Sequence, residues 1–155
     1  MPDLAQNYRR LQNALSACAV QSGHEVRLLA VSKTQTPEQI RLCAELGQKA
    51  FGENYVQEAL EKITVLRQLA LEWHLIGPLQ SNKCPAAAAH FDWVQTVDRE
   101  KIIKALDQYR PETLPPLNVL IQVNIDAEPG KSGCTPADIK TLALHVAACR
   151  NLRLR

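Results

Sequence analysis

Residues 28–40, LLAVSKTQTPEQI, decide the fold. An apolar run, VRLLAVS from Val26 to Ser32, stops at a lysine, Lys33. Such a run reads as a short strand buried on both faces, which is the mark of a parallel sheet covered by helices. A helix then starts with full punctuation: Thr36 at the N-cap, Pro37 at the first helical position, Gln39 completing a capping box and Gly47 closing the end. Strand, lysine and capped helix follow one another without a single glycine. A dinucleotide-binding sheet would place G-x-G-x-x-G at this turn, so that fold is disfavoured.

The same unit recurs along the chain. KAFGEN (49–54) reads as a second strand, followed by a helix with Val56, Leu60, Ile63 and Leu66 on its apolar stripe. WHLIG (73–77) is a third strand, and LQSNKCPAAAAHF (79–91) is helical at least through its alanines. WVQTVD (93–98) is a fourth strand, with Ile102, Ile103 and Leu106 marking the next helix and Asp98 a candidate N-cap. LNVLIQVN (117–124) is the strongest strand. A helix punctuated by Thr135, Pro136 and Asp138 carries Ile139, Leu142, Val146 and Cys149 on one face, and LRLR (152–155) opens a sixth strand. Upstream, Asp3 caps a helix with Leu4, Tyr8, Leu11, Leu15 and Cys18 at spacings of four and three, ended by Gly23. Strands alternating with helices imply parallel pairing through right-handed crossovers, in an open doubly wound sheet or a (β/α)8 barrel.

Bulk composition narrows the function classes. The chain has 155 residues, a formal net charge of +2 and 22% charged residues, which suits one globular domain spanning 1–155. With 18 Lys and Arg against 16 Asp and Glu, the charge balance does not support a nucleic-acid footprint, which would need basic residues gathered on one face. No run of 18 apolar residues indicates a membrane span, and the N-terminus lacks the apolar core of a signal peptide. The five cysteines are scattered and form neither C-x-x-C nor a Cys/His cluster. They read as reduced thiols of a cytoplasmic protein rather than zinc ligands or a disulfide framework.

In a barrel, residues at the C-terminal ends of the strands converge on one mouth. Here those ends supply Lys33, then Glu53 and Asn54, then His74, Asp98 and Asn124. Each also has a plain structural reading: a solvated lysine, turn-forming Asn and Asp, a satisfied core histidine. GENYVQE, IGPLQSNK and NIDAEPGKSG are denser in polar residues than minimal turns require, and loops at that mouth carry function more often than those at the opposite end.

LLAVSKTQ, FGENYVQE, WHLIGPLQSNK, FDWVQTVDREK, PPLNVLIQVNI and KSG occur together and in the order found in the YggS/PROSC-like pyridoxal phosphate homeostasis proteins, which this chain resembles from about Leu28 to Arg155. The resemblance implies a pyridoxal 5′-phosphate (PLP) barrel of the alanine racemase N-terminal type, a (β/α)8 TIM-barrel with about five and a half strands present. It implies that Lys33 is the lysine joined to the cofactor as an internal aldimine. Asn54 then lines the pocket, His74 and GPLQSNK (with Ser81 and Asn82) lie at the same mouth, and Lys131 sits in an entrance loop. An imine needs a neutral amine, and burial at the mouth is expected to disfavour the charged form of Lys33. At the unperturbed pKa only about one lysine in a thousand is neutral at pH 7. Arginine could not substitute, because it stays protonated.

The resemblance further implies a non-catalytic carrier that holds PLP and serves PLP-dependent apo-enzymes, monomeric in its complete form. The alternative is a racemase-like enzyme, which in alanine racemase uses a second domain and a tyrosine base; of Tyr8, Tyr55 and Tyr109, only Tyr55 stands next to a site residue. A third reading is an inactive, C-terminally truncated fragment. A closed barrel of this type takes roughly 200 residues or more, with its phosphate cup after the seventh and eighth strands. The expectation is therefore a lysine half-site with weak PLP retention and with open sheet edges that invite association.

Overall fold

The computed structural model describes residues 3–155. Asp3 accepts a hydrogen bond from the Ala5 amide and starts helix α1 (Leu4–Ser22), which Gly23 ends in the left-handed conformation. Five β/α units and a sixth strand follow in the order read from the sequence. The strands are β1 (Ala30–Val31), β2 (Ala50–Glu53), β3 (Glu72–Leu75), β4 (Trp93–Val97), β5 (Leu117–Ile121) and β6 (Leu152–Leu154). The helices between them are α2 (Pro37–Glu45), α3 (Val56–Leu66), α4 (Cys84–His90), α5 (Glu100–Tyr109) and α6 (Ile139–Ala147). The sheet is parallel throughout and its spatial order is β1-β2-β3-β4-β5-β6. Right-handed crossovers that always step in one direction put every helix on one face, which is barrel topology rather than a doubly wound sheet. Among the described residues β1 and β6 each have one strand neighbour, so the ring is open between them.

The core lies between sheet and helices. Phe51, Trp73, Leu75, Val94, Val97, Leu117 and Val119 point to the helix side and meet Ile40, Ala59, Ile102, Ile103, Leu106 and Val146. Burying such side chains stabilises the layer by about 1.5–3 kcal/mol each. The capping boxes at Thr36/Gln39 and Thr135/Asp138 are both formed, although the turn after Thr135 is a 3-10 turn before α6 begins. The opposite, concave face carries the row Gly52, His74, Trp93, Asn118 and Arg153, which are paired neighbours across the strands.

Two expectations are corrected. The run VRLLAVS is not a strand buried on both faces: only Ala30–Val31 pairs, and Val31 is 53% exposed, because β1 has a neighbour on one side alone. Asp98 does not cap α5. The N-cap is Arg99, without a side-chain cap bond, and the Asp98 carboxylate is drawn into an ion pair with the Arg99 guanidinium.

Candidate functional site

The C-terminal ends of the strands form a polar rim around the concave face, and its best-defined corner surrounds Lys33. Ser32 faces the helix layer, where its hydroxyl donates to Glu53 Oε1 at 2.6 Å. Lys33 follows two residues past the end of β1, in the turn that leads to α2. Its side chain is exposed, and its amine has no hydrogen-bond or ion-pair partner among the described residues. The burial expected of Lys33 is not found, because the edge position of β1 leaves it open to solvent.

Beneath this exposed lysine lies a buried one. Lys62, on α3, is 5% exposed, and its ammonium donates to Ser32 O (2.7 Å), Glu53 Oε1 (2.8 Å) and Glu58 Oε1 (2.6 Å). Glu53, at the end of β2, is fully buried, and its Oε2 has no partner. Glu58 also accepts the Thr34 amide at 2.7 Å. The hydrogen bond from Lys62 holds the Glu58 carboxyl below the usual glutamate range. Thr34 has φ 63°, a left-handed conformation that β-branched residues rarely adopt.

Asn54 follows Glu53 at the rim. Its carbonyl lies against Gly77, where a Cβ would stand 2.1 Å from Asn54 O, so the loops after β2 and β3 touch backbone to backbone. Asn54, Tyr55, Gln80, Lys83 and Arg99 line a cavity of about 430 Å³ whose far wall is Ser132. Tyr55, 60% exposed, is the N-cap of α3 and makes no cap bond through its side chain. A second cavity of about 450 Å³, lined by Ile76, Thr96, Gln122, Asn124, Lys131 and Ser132, adjoins the first through Pro78 and Ser132. Of the GPLQSNK motif, Gln80 and Lys83 line the rim cavity; Ser81 faces a depression beside α5, and Asn82 is exposed.

His74 lies one layer below, within the sheet face. It stacks on Trp93 with ring centroids 5.2 Å apart, and Gln95 Nε2 lies 2.9 Å from its Nδ1. With the Gln95 amide donating to Nδ1, the ring carries its proton on Nε2 and donates it to Glu72 Oε1 at 2.8 Å. Burial pushes the His74 pKa down despite the Glu72 carboxylate, in keeping with a neutral ring. Burial alone would raise Glu72, but the His74 hydrogen bond and the Arg27 charge together hold it below the usual range. His74 is thus a fixed part of the floor.

Lys131 belongs to the loop after β5. Asn124 organises this loop, accepting the Glu128 amide at 3.2 Å and donating to Glu128 O at 3.1 Å. Lys131 pairs with Glu128 in an exposed contact. The loop rejoins the sheet at Gly133, whose φ of +125° and close approach to the Asn124 amide exclude a side chain. A mainly apolar depression lies elsewhere, between α1, α2 and the open edge of β1, lined by Leu4, Leu11, Leu28, Val31 and Phe51.

The sequence did not reveal Lys62, Glu53 as a buried ion, or Glu58 as a backbone acceptor. Lys62 occupies a helix-buried position flanked by Ala59 and Leu66, and a lysine within that apolar stripe was the available signal.

Comparison with known proteins gives a consistent set of likenesses. Residues 2–155 match the family model "Alanine racemase, N-terminal domain". The chain is 48% identical over 161 residues to the pyridoxal phosphate homeostasis protein of Escherichia coli K12, covering 100% of this chain and 69% of that protein. It is 47% identical over 158 residues to the protein of the same name from Pseudomonas aeruginosa, with the same coverage. Among solved structures, PipY of Synechococcus elongatus PCC7942 without PLP superposes with TM-score 0.86 at 34% identity, covering 99% of this chain and 68% of PipY. PipY with PLP bound gives 0.79 at 33% identity over the same shares. Alanine racemase from E. faecalis, at 20% identity and TM-score 0.74, covers 97% of this chain and 39% of that one, and shares the fold.

Proposed function

The chain belongs to the family of the alanine racemase N-terminal domain, and we propose that it binds pyridoxal 5′-phosphate through Lys33 and acts as a cofactor carrier in PLP homeostasis. The observation that carries this reading is an unpaired, exposed amine at the rim of a barrel face, on backbone held from both sides. The residues present fit such a group. Lys33 offers its amine to an aldehyde from a position outside the cavity lining, and the cavity next to Asn54 carries two donors without a partner among the described residues, Lys83 and the Tyr55 hydroxyl. When bound, PLP supplies an aldehyde that captures amines and a ring that withdraws electrons from them. Lys33 is the covalent anchor, Asn54 and Lys131 flank the entrance, and His74 keeps the floor neutral. Ser81 and Asn82 belong to the turn that presents Gln80 and Lys83.

The relatives named for PLP homeostasis, and a neighbour whose structure holds PLP, support the carrier reading. On it, residues 1–155 act as one cofactor-binding unit in the cytosol and hand PLP to PLP-dependent apo-enzymes. The five cysteines, none paired, fit a reducing compartment. No helix among the described residues is long and apolar enough to cross a membrane. A racemase reading rests on Tyr55, whose hydroxyl stands at the cavity without a partner among the described residues; turnover of alanine that disappears in Tyr55→Phe would replace the carrier.

The test is chemical. The chain is mixed with PLP, reduced with borohydride and digested, and the labelled peptide is mapped. Label on Lys33, absent from Lys33→Ala, is the expected result. A reduced chain with no label on Lys33 overturns the assignment.

A further inference from the structure

We infer that Lys62 is a positioning residue for Lys33, acting through the two peptide groups on either side of it. The inference rests on the reading of Lys33 as the anchoring amine and extends it to a side chain one layer below.

Lys33 carries a long flexible side chain and is exposed, so its own packing does not aim the amine. The fold constrains it through the backbone instead. The peptide before Lys33 is held at the Ser32 carbonyl, which accepts from Lys62 Nζ at 2.7 Å. The peptide after it is held at the Thr34 amide, which donates to Glu58 Oε1 at 2.7 Å. Glu58 is itself fixed by Lys62 at 2.6 Å, and Glu53, the third partner, grips the Ser32 hydroxyl. One buried ammonium therefore joins both flanking peptides of Lys33 to α3 and β2. With both planes set, the direction of the Cα–Cβ bond of Lys33 is set too.

Two features argue against mere packing. A well-packed apolar residue among Val56, Ala59 and Leu66 would avoid the desolvation of a buried charge, so a lysine there is poor evidence for a stability role. Thr34 is held in a left-handed conformation, and the Glu58 bond helps to retain it, alongside the Gln35 amide, which donates to Ser32 O at 3.0 Å across the same turn. Removing the Lys62 charge leaves Glu53 and Glu58 repelling one another and frees Thr34 to relax.

The experiment follows imine formation with PLP by absorbance across pH, together with the share of borohydride label on Lys33 relative to all other lysines. Lys62→Met is compared with the unaltered chain and with Glu58→Ala, which removes the Thr34 acceptor at a partly exposed position without stranding a buried charge. Both variants are expected to slow imine formation at Lys33 about tenfold and to spread label onto other lysines, while melting stays cooperative. Unchanged rate, pH profile and label share in Glu58→Ala overturn the inference, whether or not Lys62→Met folds. Absence of label on Lys33 in the unaltered chain overturns the cofactor reading itself, and this inference with it.

Discussion

The two lysines offered at the rim, Lys33 and Lys131, sit on segments held in opposite ways. The Ser32–Thr34 segment is tied to residues 20 to 30 positions away, through buried contacts with Gly52, Glu53 and Lys62 and an exposed one with Glu58. Below it the His74 layer is likewise closed by long-range pairing with Gln95 and Trp93. The 124–133 loop is tied mainly to itself, by Asn124 to Glu128 and Lys131 to Glu128, all within seven residues and all exposed. Long-range buried contacts fix a side chain in the frame of the sheet. Short-range exposed ones fix only the shape of the loop. The first arrangement suits a group that must meet a reacting atom, and the second suits a gate that follows a ligand in and out.

The contrast is broken most directly at Lys62. Lys62→Met is expected to cost about 3 kcal/mol, because it strands the fully buried Glu53 carboxylate, and urea unfolding measures it. The double variant Lys62→Met/Glu53→Leu is expected to recover most of that loss. Failure to recover would mean that the pair supports the helix packing rather than the rim. A smaller effect is expected from pH. The folded-state pKa of His74 lies below its 6.5 reference, so the unfolded chain binds more protons as pH falls through that value. Stability is then full above about 6.5 and declines below it. Thermal melts between pH 7 and 5.5 should show a loss of a few degrees that flattens in His74→Gln. Glu72, also lowered, acts in the same direction but only below its own 4.5 reference. An equal slope in both proteins would remove His74 from the rigid half. The smallest effect belongs to Lys131→Ala, within about 0.5 kcal/mol, as for other exposed ion pairs. A larger loss in its melting curve would erase the difference between the two segments.

Legibility in the sequence followed the range of the interactions. The boxes at Thr36/Gln39 and Thr135/Asp138 and the left-handed Gly23 were readable because each partner lies within a few residues of the other. The order of strands and helices was readable because hydrophobic period and punctuation change together at each boundary. Burial of β1 was misread, since VRLLAVS has the composition of a covered strand and the exposure of Val31 depends on which strand lies beside it. Lys33 was found from its place at the strand end and from the resemblance, but its support was invisible. The Lys62–Ser32 contact spans 30 residues; a lysine within the apolar stripe of α3 hints at burial, but nothing local says which groups it meets. His74 was placed on the right strand, yet its proton and its partners depend on Gln95, 21 residues away.

The strictly consecutive strand order also bears on how the chain folds. Every crossover docks its new strand against the one just made, so the sheet can grow one unit at a time as synthesis proceeds and never waits for a distant partner. The clamp beneath Lys33 matures early on such a path, because everything it needs has been made by residue 62. The rim loop that carries Lys131 is added three strands later, onto a lysine seat already complete.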